Sequence, residues 1–129
     1  MSTDKELLQR VRRIAEEITS GKLEKENYNA YHDLTDEEKE DFEPNGYDYL
    51  ENVYDMKFIV GRDKSYYGAE LMVAGGGPNI YVDTREMRVE GYWGGDRATW
   101  NFIDNIGLDD ACEEYWSCQW NTKMNTTSG

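Results

Sequence analysis

The chain has 129 residues, with 27 acids against 14 bases and a formal net charge of −13. That length holds one domain around one core, and that charge disfavours nucleic acid and anionic membranes as direct partners. Ten Tyr, four Trp and three Phe argue against disorder, because disordered acidic chains are poor in aromatics.

The first segment reads as a helix. Thr3 and Glu6 have the spacing of a capping box. Leu7, Leu8, Val11, Ile14, Ala15 and Ile18 recur at helical spacing as one apolar stripe. Glu6 and Arg10 are placed for an ion pair across one turn, and Gly21 is the expected stop. MSTDKELLQR contains no apolar signal core, and no apolar run approaches the roughly 20 residues of a spanning helix. A cytoplasmic location is expected. The cysteines, Cys112 and Cys118, are expected to be reduced, with Cys112 buried.

The second segment carries most of the charge. Asp33–Asp55 holds ten acids and the single base Lys39, a balance of −9. Residues 1–32 and 56–100 are each neutral, and residues 101–129 carry −4. Thr35 and Glu38 form a second capping box at the head of a short acidic helix. Asp36, Glu37 and Glu38 fall in its first turn, where the helix dipole favours them. Pro44-Asn45-Gly46 ends it in a turn, and Tyr47–Tyr54 is read as further helix, with an extended lead into the sheet as the alternative.

The third segment is a sheet. Met56–Gly61, Tyr66–Ala74, Asn79–Thr84 and Met87–Trp93 are rich in β-branched and aromatic residues. The breaks between them, Arg62–Ser65, Gly75–Pro78 and Arg85-Glu86, are short enough to demand antiparallel neighbours. Asp96 or Thr99 is read as the cap of a helix reaching Asn105, with Trp93–Arg97 turning the chain from sheet to helix. After Gly107, Leu108, Cys112, Tyr115 and Trp116 form an apolar helical stripe opposite Asp109, Asp110, Glu113 and Glu114. Trp100, Trp116 and Trp120 are read as partly core. The predicted fold is α+β: a four-stranded antiparallel meander with N- and C-terminal helices on one face and a short acidic helical segment. Residues 1–120 form the domain, and 121–129 a polar tail.

No catalytic constellation is evident. His32, the sole histidine, has no nucleophile motif beside it. The acidic run lacks the alternation and the glycine of a calcium loop, and one His with two Cys does not make a zinc tetrad. Gly75-Gly76-Gly77-Pro78 joins two strands rather than opening a helix, so a hairpin loop is favoured over a phosphate loop. Among so many acids, pairs spaced for glycosidase chemistry arise by chance. No cofactor and no metal are expected.

What remains is the charge itself, with Phe42, Tyr47, Tyr49 and Tyr54 interleaved through it. Thirteen charges match roughly 22 Å of duplex, about six or seven base pairs, at one charge per about 1.7 Å. An acidic face studded with aromatics could occupy a DNA-binding channel and pair with its Arg and Lys. In charge pattern and size, DLTDEEKEDFEPNGYDYLENVYD and the later DDACEEYW resemble the small acidic DNA-mimic inhibitors of phages and conjugative elements, the anti-CRISPR and anti-restriction proteins. The resemblance implies a non-enzymatic inhibitor that binds a basic nucleic-acid-binding protein, a defence nuclease, without binding nucleic acid itself. The partner-binding residues are then expected to be Asp36, Glu37, Glu38, Glu40, Asp41, Glu43, Tyr47, Asp48, Tyr49, Glu51, Asp109, Asp110, Glu113, Glu114 and Trp116. The alternatives are an adaptor that uses an aromatic sheet face with Tyr81, Tyr92 and Trp93, and a small enzyme.

Overall fold

The computed structural model describes residues 3–128, and the side chains of residues 4–118. It is α+β, with an antiparallel sheet and helices on one of its faces. Helix α1 spans Thr3–Ser20. Leu7, Val11, Ala15 and Ile18 are fully buried, while Leu8, at the edge of the stripe, is exposed. Glu6–Arg10 forms as expected at 3.4 Å, joined by Arg12–Glu16 at 2.8 Å. Gly21, at φ +73°, stops the helix, and its N–H donates to the Glu17 and Ile18 carbonyls. The capping box expected at Thr3 lies outside the described side chains.

A single 3₁₀ turn, Lys25–Asn27, and a one-turn helix α2, Asn29–His32, then lead to α3, Asp36–Asp41. The Thr35–Glu38 capping box is formed in both directions. Asn45 does more than end a helix. Its side-chain oxygen accepts from Tyr47 and Asp48 N–H and so caps α4, Gly46–Leu50.

The sheet runs β1 Asp55–Val60, β2 Tyr66–Ala74, β3 Asn79–Asp83, β4 Arg88–Trp93 and β5 Asp96–Asn101, each paired antiparallel with the next. Five strands therefore replace the four expected. The helix read over Asp96–Asn105 is a fifth strand, with Arg97 opposite Tyr92 and Ala98 opposite Gly91. The physical reason is the two-residue Gly94-Gly95 break. Gly94 adopts φ +62°, the left-handed conformation that a tight hairpin requires, so the chain folds back on β4 instead of leaving the sheet. Asp96 and Thr99, which resemble helix caps, are ladder residues.

Alternation along the strands sorts the two faces. Ala69, Leu71, Ile80, Val82, Val89 and Ala98 point to the helices and are buried. α1 lies across β4 and β5, and α5, Leu108–Ser128, lies against β2. Gly91 makes the first contact possible, because a Cβ there would meet Val11 Cγ2 at 2.6 Å and Leu7 Cδ1 at 2.8 Å. Each buried Leu, Ile or Val contributes about 1.5–3 kcal/mol, so this layer is the main driving force for folding. The opposite face carries Ile59, Glu70, Met72, Tyr81, Glu90, Tyr92 and Arg97, none of which is buried.

On α5, Cys112 is buried and Cys118 is exposed, both as thiols. Burial, with help from the charges of Asp109 and Asp104, pushes the Cys112 thiol up to about 12. The backbone of α5 continues through the segment expected as a tail, whose side chains, like that of Trp120, lie outside the described residues. Among the described residues no helix is long and apolar enough to cross a membrane.

Candidate acidic interface

The acids expected to bind a partner fall into two groups. Asp36, Glu37, Glu38, Glu40 and Asp41 are all exposed on α3, which has no buried residue. The helix is held from beneath by Tyr31. Lys25 and Lys39 lie over the Tyr31 ring at 5.9 and 5.1 Å, Phe42 lies beside it at 6.3 Å, and Lys25 Nζ donates to the Lys39 carbonyl. The two lysines are thus turned to Tyr31, and the carboxylates face outward. His32 serves the same local packing. It stands edge-on to Tyr31, and its Nε2–H donates to the Glu26 carbonyl at 2.8 Å. Glu38 is held below the usual carboxylate range by hydrogen bonds from the Thr35 backbone and side chain.

The second group lies where α4 meets the start of α5. The Gly46 N–H donates to the Ile106 carbonyl at 2.7 Å, and the Tyr47 hydroxyl donates to the Glu114 carboxylate. That hydrogen bond, ahead of the nearby charges of Glu114 and Asp110, raises the Tyr47 hydroxyl. Asp48 turns back to accept from the Asn45 N–H. Asp104, which the sequence reading passed over, organises the corner by accepting the N–H groups of Leu108 and Asp109 at 2.8 and 2.9 Å. No hydrogen bond among the described residues joins α3 to α4 or α5. Glu43, between the groups, borders a cleft of about 590 Å³ that Lys22 and Lys25 also line.

Three of the expected contact residues are engaged inside the fold. Tyr49 packs against the core, Trp116 packs on Tyr66 with ring centroids 5.9 Å apart, and Asp109 accepts from the Tyr66 hydroxyl at 2.7 Å. Tyr47, 51% exposed, is the expected aromatic that faces outward. Conversely, Glu17 and Glu24 join the corner from a segment that is neutral in sequence. Together with Asp48 and Glu51 their charges act on Tyr28, and Asn52 Nδ2 ties the α4 exit to the Asn27 carbonyl. Burial, ahead of Arg13 and Glu24, leaves Glu17 above the usual carboxylate range. Spacing along the chain carries no signal for such a long-range meeting.

This environment has a consequence at high pH. Burial first, then the charges of Glu17, Asp48, Glu51 and Glu24, pushes the Tyr28 hydroxyl up to about 12. Burial likewise raises Tyr49 and Tyr66. In the unfolded chain a tyrosine ionises near about 10. The stability these groups contribute is therefore full below that pH and is lost as pH rises through the folded values. In an alkaline titration, the last tyrosines to form phenolate are expected to ionise together with the loss of helical circular dichroism. Ionisation of all ten tyrosines before any loss of helix would contradict it.

The charge balance separates this surface from the rest of the molecule. Among the described residues the ion pairs use Glu6, Glu16, Glu86 and Glu90, and none uses a carboxylate of Asp33–Asp55 or of Asp109–Glu114. On the open sheet face, Glu90 illustrates the contrast. Burial raises it, but hydrogen bonds from Tyr92 and Arg88 and the charges of Arg88 and Arg97 outweigh that and hold it low. The same face corrects one grouping made from sequence. Tyr81 and Tyr92 meet there edge-on at 6.2 Å, but Trp93, the next residue along the strand, points to the helix side and lies under Arg10.

Among the described residues no group of three or more His, Cys, Asp or Glu is placed to hold a metal ion. In comparisons with known proteins, no family model, no curated protein and no solved structure matches the chain.

Proposed function

We propose that the protein is a non-enzymatic inhibitor that binds a basic nucleic-acid-binding protein, a bacterial defence nuclease of the CRISPR or restriction type, through its acidic surface. One observation carries the reading. The carboxylates of α3 and of the α4–α5 corner make no ion pair within the described fold, whereas Glu6, Glu16, Glu86 and Glu90 elsewhere are paired with arginines. Carboxylates held at the surface without a basic partner offer Arg and Lys a substitute for phosphate. The long-range field they create speeds encounter with a basic channel and repels nucleic acid.

The test is a panel of purified restriction and CRISPR nucleases, with binding measured at two salt concentrations and in competition with duplex DNA. A true phosphate substitute inherits the salt dependence of DNA, on the order of a thousandfold weakening between 50 and 200 mM salt for six or more charge contacts. Binding that survives high salt and is indifferent to DNA would sink the proposal.

The adaptor reading is favoured by one observation, the uncovered Tyr81–Tyr92 pair on the open sheet face. Tyr92→Ala would then abolish partner binding while removal of α3 charge would not.

A further inference from the structure

Two hollows meet along the α4–α5 corner. The first, about 340 Å³, is lined by Tyr47, Leu50, Ala111, Tyr115 and Cys118. The second, about 310 Å³, continues past Val53, Met56 and Phe58 to the edge strand β1. They lie side by side across their shared lining residues Leu50 and Tyr115, as a groove in two parts. Its floor is held firmly, because Tyr115 stacks on Phe58 with centroids 6.3 Å apart and Leu50, Met56 and Phe58 pack against the core. Its rim is acidic, with Glu51 and Glu114 on the first hollow and Asp55 on the second. Tyr47, Tyr54 and Tyr115 stand beside it 51%, 74% and 48% exposed.

We infer that this groove docks a polypeptide segment that carries a bulky apolar side chain flanked by arginines. The inference rests on the acidic-surface reading above and names what part of a basic partner the surface takes up. The apolar floor calls for an occupant that brings apolar surface, which a strand of phosphates or a bare cation does not. The carboxylate rim, without ion pairs among the described residues, calls for cations on either side of that anchor. Exposed tyrosine faces suit guanidinium, which stacks on aromatic rings, better than ammonium. A second copy of this chain is disfavoured, because its charge of −13 repels its own kind. An apolar anchor in a pocket with charge around it is also the arrangement that concentrates binding energy in few residues.

The experiment follows amide NMR shifts of the isotope-labelled full chain during titration with three synthetic peptides of equal length. One carries leucines and arginines at helical spacing, one has its leucines replaced by serine, and one has its arginines replaced by citrulline. The first peptide is expected to shift amides of Leu50–Phe58 and Ala111–Cys118 and to bind roughly tenfold more tightly than either control. Cys118→Trp, which adds bulk to the lining of the first hollow, and Tyr54→Ala are expected to weaken it without disturbing the other amides.

Equal binding of the serine peptide, or shifts confined to α3, would overturn the groove while leaving the acidic-surface reading intact. So would a nuclease captured in a salt-sensitive manner by the Cys118→Trp protein as well as by the native one. Failure of all three peptides to bind would also overturn it. In that case the nuclease assay still decides the broader reading by itself. Shifts in the groove on concentrating the protein alone would assign it to a second copy and overturn the peptide proposal.

Discussion

Gly46→Ala is expected to destabilise the protein by about 1–3 kcal/mol or more, the cost of forcing an extra methyl into a closed contact. The contact is backbone on backbone. A Cβ on Gly46 would overlap the Gly107 carbonyl oxygen and lie 2.7 Å from its carbon and 2.8 Å from Leu108 Cα. No side-chain rotation relieves such an overlap, so α4 and the start of α5 must separate. Separation breaks the Gly46–Ile106 hydrogen bond and pulls Tyr47 away from Glu114. The matched control is Gly95→Ala in the β4–β5 turn, where nothing lies within 4 Å and the backbone is not left-handed. That change is expected to be neutral or to stabilise by about 0.4–1 kcal/mol through the unfolded chain. Urea unfolding of the two variants gives the comparison. Equal stabilities would mean that α4 does not cross α5 as closely as described.

Removing charge from α3 is expected to separate binding from folding. Asp36→Asn, Glu37→Gln, Glu40→Gln and Asp41→Asn made together leave Glu38, whose carboxylate accepts the Thr35 N–H at 2.9 Å, in place. None of the four is buried, none forms an ion pair among the described residues, and α3 contributes nothing to the core. Loss of favourable dipole interactions in the first turn, about 0.3–1 kcal/mol each, opposes relief of repulsion among neighbouring acids. Global stability is therefore expected to stay within about 1 kcal/mol of the native protein. Affinity for a basic nuclease should respond differently. Four surface ion pairs at about 0.2–1 kcal/mol each amount to a roughly four- to several-hundredfold weakening. A shallower salt dependence should accompany it. Thermal unfolding and binding measured on one preparation test both halves. Unchanged affinity would remove α3 from the interface, and a collapse of stability would mean that its acids are structural.

The two substitutions differ in how much of their logic is visible in the sequence. The capping box at Thr35 and Glu38, the acids of α3 and the α1 stripe are local patterns, spaced by one helical turn. Each was legible because its energetics involve residues only three or four positions apart. Strands β1 to β4 were legible to within a residue or so at each end, from runs of aromatic and β-branched residues between short breaks. Strand β5 was not. It is an edge strand of six residues whose outward side is exposed, and Asp96 and Thr99 also suit helix caps. The Gly94-Gly95 pair was the available signal for a hairpin.

The sequence by itself determined the acidic balance, where along the chain that charge concentrates, and the local elements that obey short-range rules. The tertiary structure alone decided which carboxylates share a surface. It brought Glu17 and Glu24 to Asp48 and Glu51 around Tyr28, turned Tyr49 and Trp116 inward, and left Tyr47 outside. It also chose the covered sheet face, by seating α1 on Gly91. The reason is physical. Helix caps and strand alternation depend on neighbours in the chain, whereas burial and charge proximity depend on residues tens of positions apart. Those are brought together only once the apolar faces of α1, α5 and the sheet have closed on one another.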